Sequence, residues 1–145
     1  MSIANYTTKV DPFKTLGDIQ KLLVRNGALN VSIDFDSGEA SALSFVVEIN
    51  QVFVPFRLTS NWQGVLKAME KDREVRPGLC TEAQARRVSW RIEYDWVRAQ
   101  MAKIEAGKAE LAEVFLPYAV TETGETFYQR FQKIGVAGLL KAGSD

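Results

Sequence analysis

The chain contains no histidine. That absence removes the residue most used for acid–base work near neutral pH, along with Ser-His-Asp and Cys-His nucleophile systems. It also removes nearly every zinc and non-haem iron site, where imidazole is a principal ligand. Catalysis would have to rest on carboxylates, Lys, Tyr or a hard cation, so the expectation is a binding protein without a cofactor or metal, not an enzyme. The single cysteine, Cys80, cannot close an intrachain disulfide and fits a reducing cytoplasm. No run approaches the ~20 apolar residues that span a bilayer. Residues 1–10 hold neither a basic nor an apolar segment, so no signal peptide or membrane association is expected. Net charge is missing too: 18 Lys and Arg balance 18 Asp and Glu. Duplex nucleic acid usually draws a domain-wide basic excess, so it is not an expected partner, and any anion site must be local. A glycine-rich phosphate loop is also lacking, because "GVAG" at 135–138 has no preceding strand and no following Lys-Ser/Thr.

What is present suits one globular domain. The 145 residues are 46% hydrophobic and 25% charged, enough to build a core without disulfide or metal support. Residues 1–12 read as an arm, 13–140 as a single α+β domain and 141–145 as a frayed tail. From Thr15, a candidate N-cap, Leu16, Ile19, Leu22 and Leu23 recur at helical spacing, and Asn26-Gly27 stops a helix over 15–26. Val31, Ile33 and Phe35 alternate with polar residues before the turn "DSGEA". Residues 42–49 are rich in β-formers, and Asn50-Gln51 reverses the chain into a third strand over 52–58. Pro55 lacks an amide hydrogen, which places that strand at a sheet edge. An antiparallel meander of three or four strands is expected, packed against a long central helix and shorter flanking helices. "TSN" at 59–61 caps a short helix bearing Trp62, Val65, Leu66 and Met69. "DREVRPGLC" is a loop, and Thr81 caps the long helix, which runs to about Gly107. A short helix over 109–118 breaks at Pro117, and a last one over 127–134 ends at Gly135.

The long helix holds "SWRIEYDWVRAQ" at 89–100, unusually dense in large polar and aromatic side chains. Wound at 3.6 residues per turn, it presents one apolar stripe of Ala85, Val88, Ile92, Trp96 and Ala99. A second stripe holds Trp90, Val97, Met101 and Ile104. Ser89, Glu93 and Gln100 lie between them on one side. Arg87, Arg91 and Arg98 lie on the other, bordered by Tyr94 and Asp95. Two stripes exceed what one sheet needs, so Trp90, Trp96, Val97 and Met101 are expected in the core or an oligomer interface, with the C-terminal helices or a second copy as neighbour. The arginine face has a plain explanation in ion pairs Arg91–Asp95 and Asp95–Arg98. Its functional reading is an anion clamp, since guanidinium forks match phosphates and Tyr94 can stack on a base. Arg57 joins that candidate set because it lies near the "TSNW" cap, and helix N-termini favour anions.

Asp34, Asp36 and Glu39 invite a metal reading but lack the full calcium-loop pattern, so a hairpin turn is expected. The stretches "TKVDPFKTLGDIQKLL" at 8–23, "PFRL" at 55–58, "RRVSWRIEYDWVRAQMAKIEAG" at 86–107, "VFLPY" at 114–118 and "GETFY" at 124–128 together resemble a family of small bacteriophage- and prophage-encoded proteins of uncharacterised function. The resemblance spans most of the chain after residue 8. It implies a phage–host setting and carries over no catalytic residues. The favoured function is a homo-oligomeric, non-enzymatic antagonist of anti-phage defence, sequestering a small phosphorylated nucleotide or blocking a host defence protein. One alternative is an accessory factor that binds single-stranded nucleic acid through the arginines and aromatics. Another is a magnesium-dependent enzyme using Asp34, Asp36 or Glu93.

Overall fold

Asp11 and Pro12 start the first helix, three residues before Thr15. Asp11 is extended and its carboxylate accepts from the Phe13 amide at 2.8 Å, while Pro12 occupies the first helical position, where its missing amide hydrogen costs nothing. Helix α1 thus covers Pro12–Arg25, and Thr15 is buried inside it rather than capping it. The computed structural model describes residues 1–142.

Three strands follow as expected, in the order β1-β2-β3 and antiparallel throughout: β1 (Asn30–Asp36), β2 (Glu39–Ile49) and β3 (Val52–Thr59). Both hairpins use two-residue turns with positive φ at each central residue, Ser37-Gly38 and Asn50-Gln51. Such turns match the right-handed twist of the paired strands. "DFDSGE" therefore forms a hairpin, and no cluster of three metal-ligating side chains occurs among the described residues. Pro55 lies on edge strand β3. Its carbonyl accepts from Val120 at 2.8 Å, and Phe56 bridges Ala119, so residues 119–120 cover part of that edge.

Helix α2 (Trp62–Lys71) leads through a 3-10 turn at Pro77–Leu79 to α3 (Glu82–Glu105), which Thr81 caps by accepting from the Gln84 amide. A short α4 (Leu111–Phe115) and a 3-10 turn at Leu116–Tyr118 precede α5 (Phe127–Ala142). The expected stop at Gly135 is a kink: its φ is 74° and the chain resumes a helical course to Ala142. Residues 141–142 of the expected frayed tail are thus helical, and 143–145 lie outside the described residues. Among the described residues no helix is long and apolar enough to cross a membrane.

The apolar interior has two parts. One lies between the sheet, α1 and α3 and holds Leu16, Ile19, Leu43, Phe45, Phe56, Leu58, Trp90, Val97 and Met101. Phe45, Phe56 and Phe115 meet there with ring centres 5.2–6.1 Å apart, a range where edge and offset contacts are favourable. The other part lies between α2 and α3, where Met69 and Val75 meet Ala85 and Val88, joined by Ile3, Tyr6, Trp62 and Ile92. Residues 1–11 therefore do not project as a free arm. Gln84 donates to the carbonyls of Tyr6 and Thr8 at 2.9 Å each, and Asn5 donates to Asp95 at 2.8 Å.

This arrangement accounts for both apolar stripes within one chain. Trp90, Val97, Met101 and Ile104 face the sheet-side core; Ala85, Val88 and Ile92 face α2; Trp96 packs edge-on against Phe115 and Tyr118 at 5.4 Å. The stripes consequently give no reason to invoke a second copy.

Candidate functional site

Of the five residues expected to form an anion clamp, the structure brings Arg91 onto the Tyr94 ring, while Arg57 and Arg87 make their hydrogen bonds elsewhere. Arg57 follows the buried Phe56 on β3 and points to the opposite sheet face, where it donates to the Gly124 carbonyl at 2.7 Å. Arg87 donates to Gln84 at 2.9 Å. Arg91 lies 3.5 Å from Asp18 on α1 and rests over the Tyr94 ring at 4.2 Å. Arg98, two turns beyond Arg91, is exposed. Asp95 binds Asn5, so neither expected pair with Arg91 or Arg98 forms. The face is broken up because α1 and the N-terminal segment, both remote in sequence, take its partners.

A different cleft opens where the end of β3, the start of α2 and the middle of α3 meet. It has two recesses sharing Thr59, Ser60 and Asn61. One, about 300 Å³, is bounded by Asp36, Trp62 and Arg86; the other, about 260 Å³, by Ser89, Glu93 and Tyr118. Arg86, Ser89 and Glu93 stand three and four residues apart, so they share one helix face and span ~10 Å along its axis.

Arg86 is held but not saturated. Its side chain is only 12% exposed and its guanidinium lies over the Trp62 ring at 4.9 Å. The two polar contacts, to the Ala40 carbonyl and the Glu82 carboxylate, are both 3.5 Å, the outer limit of a hydrogen bond. Its buried Nε has no partner among the described residues. A guanidinium offers five donors, and buried donors favour an acceptor strongly. Asn61 adds to this. It enters α2 in the left-handed conformation (φ 47°), and its side chain makes no capping hydrogen bond, leaving the first-turn amides of α2 without that acceptor. Ser60, 4% exposed, also has a hydroxyl without a protein partner, while its carbonyl accepts from the Ser89 hydroxyl.

At the other end stands Glu93. Burial raises its carboxyl from the ordinary 4.5 to about 7, and no hydrogen bond or ion pair among the described residues offsets that. Burial, and then the charge of Glu93, raise the Tyr118 phenol as well. The cleft thus joins a cation and a helix N-terminus to a carboxyl that can carry a proton near neutral pH. Asp36 on the rim and the exposed Glu82 keep the surrounding potential from being strongly positive. A larger concavity, about 840 Å³ beyond the end of α3, is a shallow dish, and its Glu110 and Glu113 are occupied in a reciprocal cap of α4.

Arg57 is expected at the site for its nearness to "TSNW", and that helix start does lie at the cleft, although Asn61 does not cap it. The arginine that serves it comes from α3, 29 residues further on than Arg57. The usable signal was the line of Ser89 and Glu93 between two apolar stripes. Fold and cleft together define a small α+β protein with a polar recess at a sheet–helix seam. No protein-family model matches the chain, and no curated protein or solved structure does either.

Proposed function

We propose that the chain is a non-enzymatic binding protein for a small phosphorylated ligand, held in the Arg86–Glu93 cleft. One observation carries the reading: a nearly buried, aromatic-stacked guanidinium with unused donors stands beside the uncapped start of α2. A phosphate fits both, because guanidinium forks pair with it bidentately and helix N-termini favour anions. Glu93 and Tyr118, at the far end, suit the hydrogen-bonding edge of a base, which makes a mononucleotide the best-matched class. The acidic rim, Asp36 and Glu82, disfavours a long polyanion, so single-stranded nucleic acid is the weaker alternative. A metal-dependent reaction through Asp34, Asp36 and Glu93 has less support, since Asp34 and Asp36 sit in the β1–β2 hairpin and Glu93 lines the other recess.

Resemblance to phage- and prophage-encoded proteins supplies the setting. Sequestration of a nucleotide signal used in host defence is the corresponding role, and capture of a host defence protein is the other. Calorimetric titration with a panel of nucleoside mono- and diphosphates tests the binding. At least one should bind, Arg86→Gln should weaken it by more than tenfold (~1.4 kcal/mol), and Arg91→Ala with Arg98→Ala should leave it unchanged. Absence of binding across the panel at millimolar concentration, or loss only in the Arg91/Arg98 double variant, overturns the proposal.

A further inference from the structure

The two edges of the sheet are treated differently. The outer edge of β3 carries Pro55 and is partly covered by residues 119–120. The outer edge of β1 has no backbone pairing among the described residues, and it contains neither proline nor lysine to deter another strand. Beside it runs the flank of α1. Phe13 and Phe35 touch at one end, ring centres 6.1 Å apart, and Val24 and Leu29 line a groove with Gly17 and Gln20 towards the other. Phe13, Val24, Leu29 and Phe35 are all more than half exposed. An apolar band beside an unpaired strand is unusual on a surface with no partner.

The geometry points to a second copy of this chain as that partner, docked β1 to β1 across a two-fold axis to form one continuous six-stranded antiparallel sheet. The flank is self-complementary under such an axis. On α1, Phe13, Gly17, Gln20 and Val24 lie on one stripe at spacings of four, three and four. Reversed on itself, the stripe sets Phe13 against Val24 of the second copy and Gly17 against Gln20. A Cβ built at Gly17 meets nothing within 4 Å, so the two helices have room to approach there. The same axis brings the aromatic end, Phe13 and Phe35, to the aliphatic end, Val24 and Leu29. Charge at the strand ends follows the same rule: Asp36 closes one end of β1, and Lys21 and Arg25 line the groove at the other. Among the described residues Asp36 and Lys21 make no ion pair, and Arg25 has only an exposed contact to Glu105 at 3.4 Å. An unrelated peptide would have to reproduce this pattern, whereas a two-fold axis supplies it from the chain itself. Asp36 also lines the ligand cleft, so a basic end docked against it would make the cleft rim less acidic. The association itself does not depend on the ligand.

Sedimentation velocity and light scattering on the full chain, from low to high micromolar concentration, test this. The mass should rise towards twice 16.2 kDa with concentration. Gly17→Arg should hold it at the single-chain value while leaving the melting temperature equal or higher, because glycine within a helix is itself destabilising. Val24→Asp should act in the same direction, with the dimer weakened at least tenfold. Parent protein that stays at 16.2 kDa throughout overturns the inference, as does a doubled mass that survives both substitutions.

Discussion

Glu93→Gln isolates the buried carboxyl from every other ionisable group in the chain. Burial raises the folded-state value to about 7, whereas the unfolded chain releases that proton near 4.5. Between those values the folded protein holds a proton that the unfolded protein has lost. Stability from this group is therefore complete below pH 4.5, falls as pH rises and is gone above about pH 7. At ~1.36 kcal/mol per pH unit, the loss amounts to ~3 kcal/mol. Glutamine has nearly the same shape and does not ionise. The variant should match the parent at about pH 4 and exceed it by up to ~3 kcal/mol at about pH 8. Urea unfolding of both proteins across that range measures the difference, and subtraction cancels the titration of all other carboxylates. If the two curves run parallel with pH, the Glu93 carboxyl is not desolvated and the cleft is wetter than its lining implies. Nucleotide affinity should also depend on pH in the parent more than in the variant, since only the parent changes charge at that end of the cleft.

Trp90 is 1% exposed while Trp96 is only partly buried, so Trp90→Ala should cost ~3–5 kcal/mol and Trp96→Ala clearly less, both read from denaturant midpoints. Thr81→Ala removes the acceptor for the Gln84 amide and should cost ~1 kcal/mol in the same assay. Thr15 is fully buried in α1 and its hydroxyl has no partner among the described residues. Thr15→Val keeps the shape and should raise stability by ~1 kcal/mol, visible as a higher melting temperature.

The meander was legible because its signals are local. Alternation in β1, the reversal at Asn50-Gln51 and the proline in β3 each act within a few residues. The helices were legible for the same reason, with errors confined to their ends: Asp11 outcompeted Thr15 as a cap, and Gly135 bent a helix instead of stopping it. The site was not legible in that way. Arg87, Arg91 and Arg98 form a cationic face on a helical wheel, but a wheel does not show that Asp18 lies against Arg91, nor that Asn5 takes Asp95. Arg86 lies outside that arginine face on the wheel, and only the fold shows that α2 places Trp62 beneath it and leaves it mostly buried. Those facts depend on contacts between residues far apart in sequence.

The architecture of α3 explains why the polar cleft arises where it does. A helix that packs on two bodies carries two apolar stripes, and between stripes there are two gaps. In this chain one gap faces α1 and the N-terminal segment. Its polar groups find partners or water: Arg87 with Gln84, Arg91 with Asp18, Asp95 with Asn5. The other gap falls in the seam between the sheet-side core and the α2-side core, so it is walled on both flanks. Arg86, Ser89 and Glu93 occupy that seam. A hydrophobic residue at 93 would join the two clusters at no electrostatic cost, while a carboxylate without a partner works against folding at neutral pH. Selection for stability alone does not account for such a residue beside a half-satisfied guanidinium and an uncapped helix. A ligand that supplies an acceptor to Arg86 and a donor to Glu93 offsets both penalties at once.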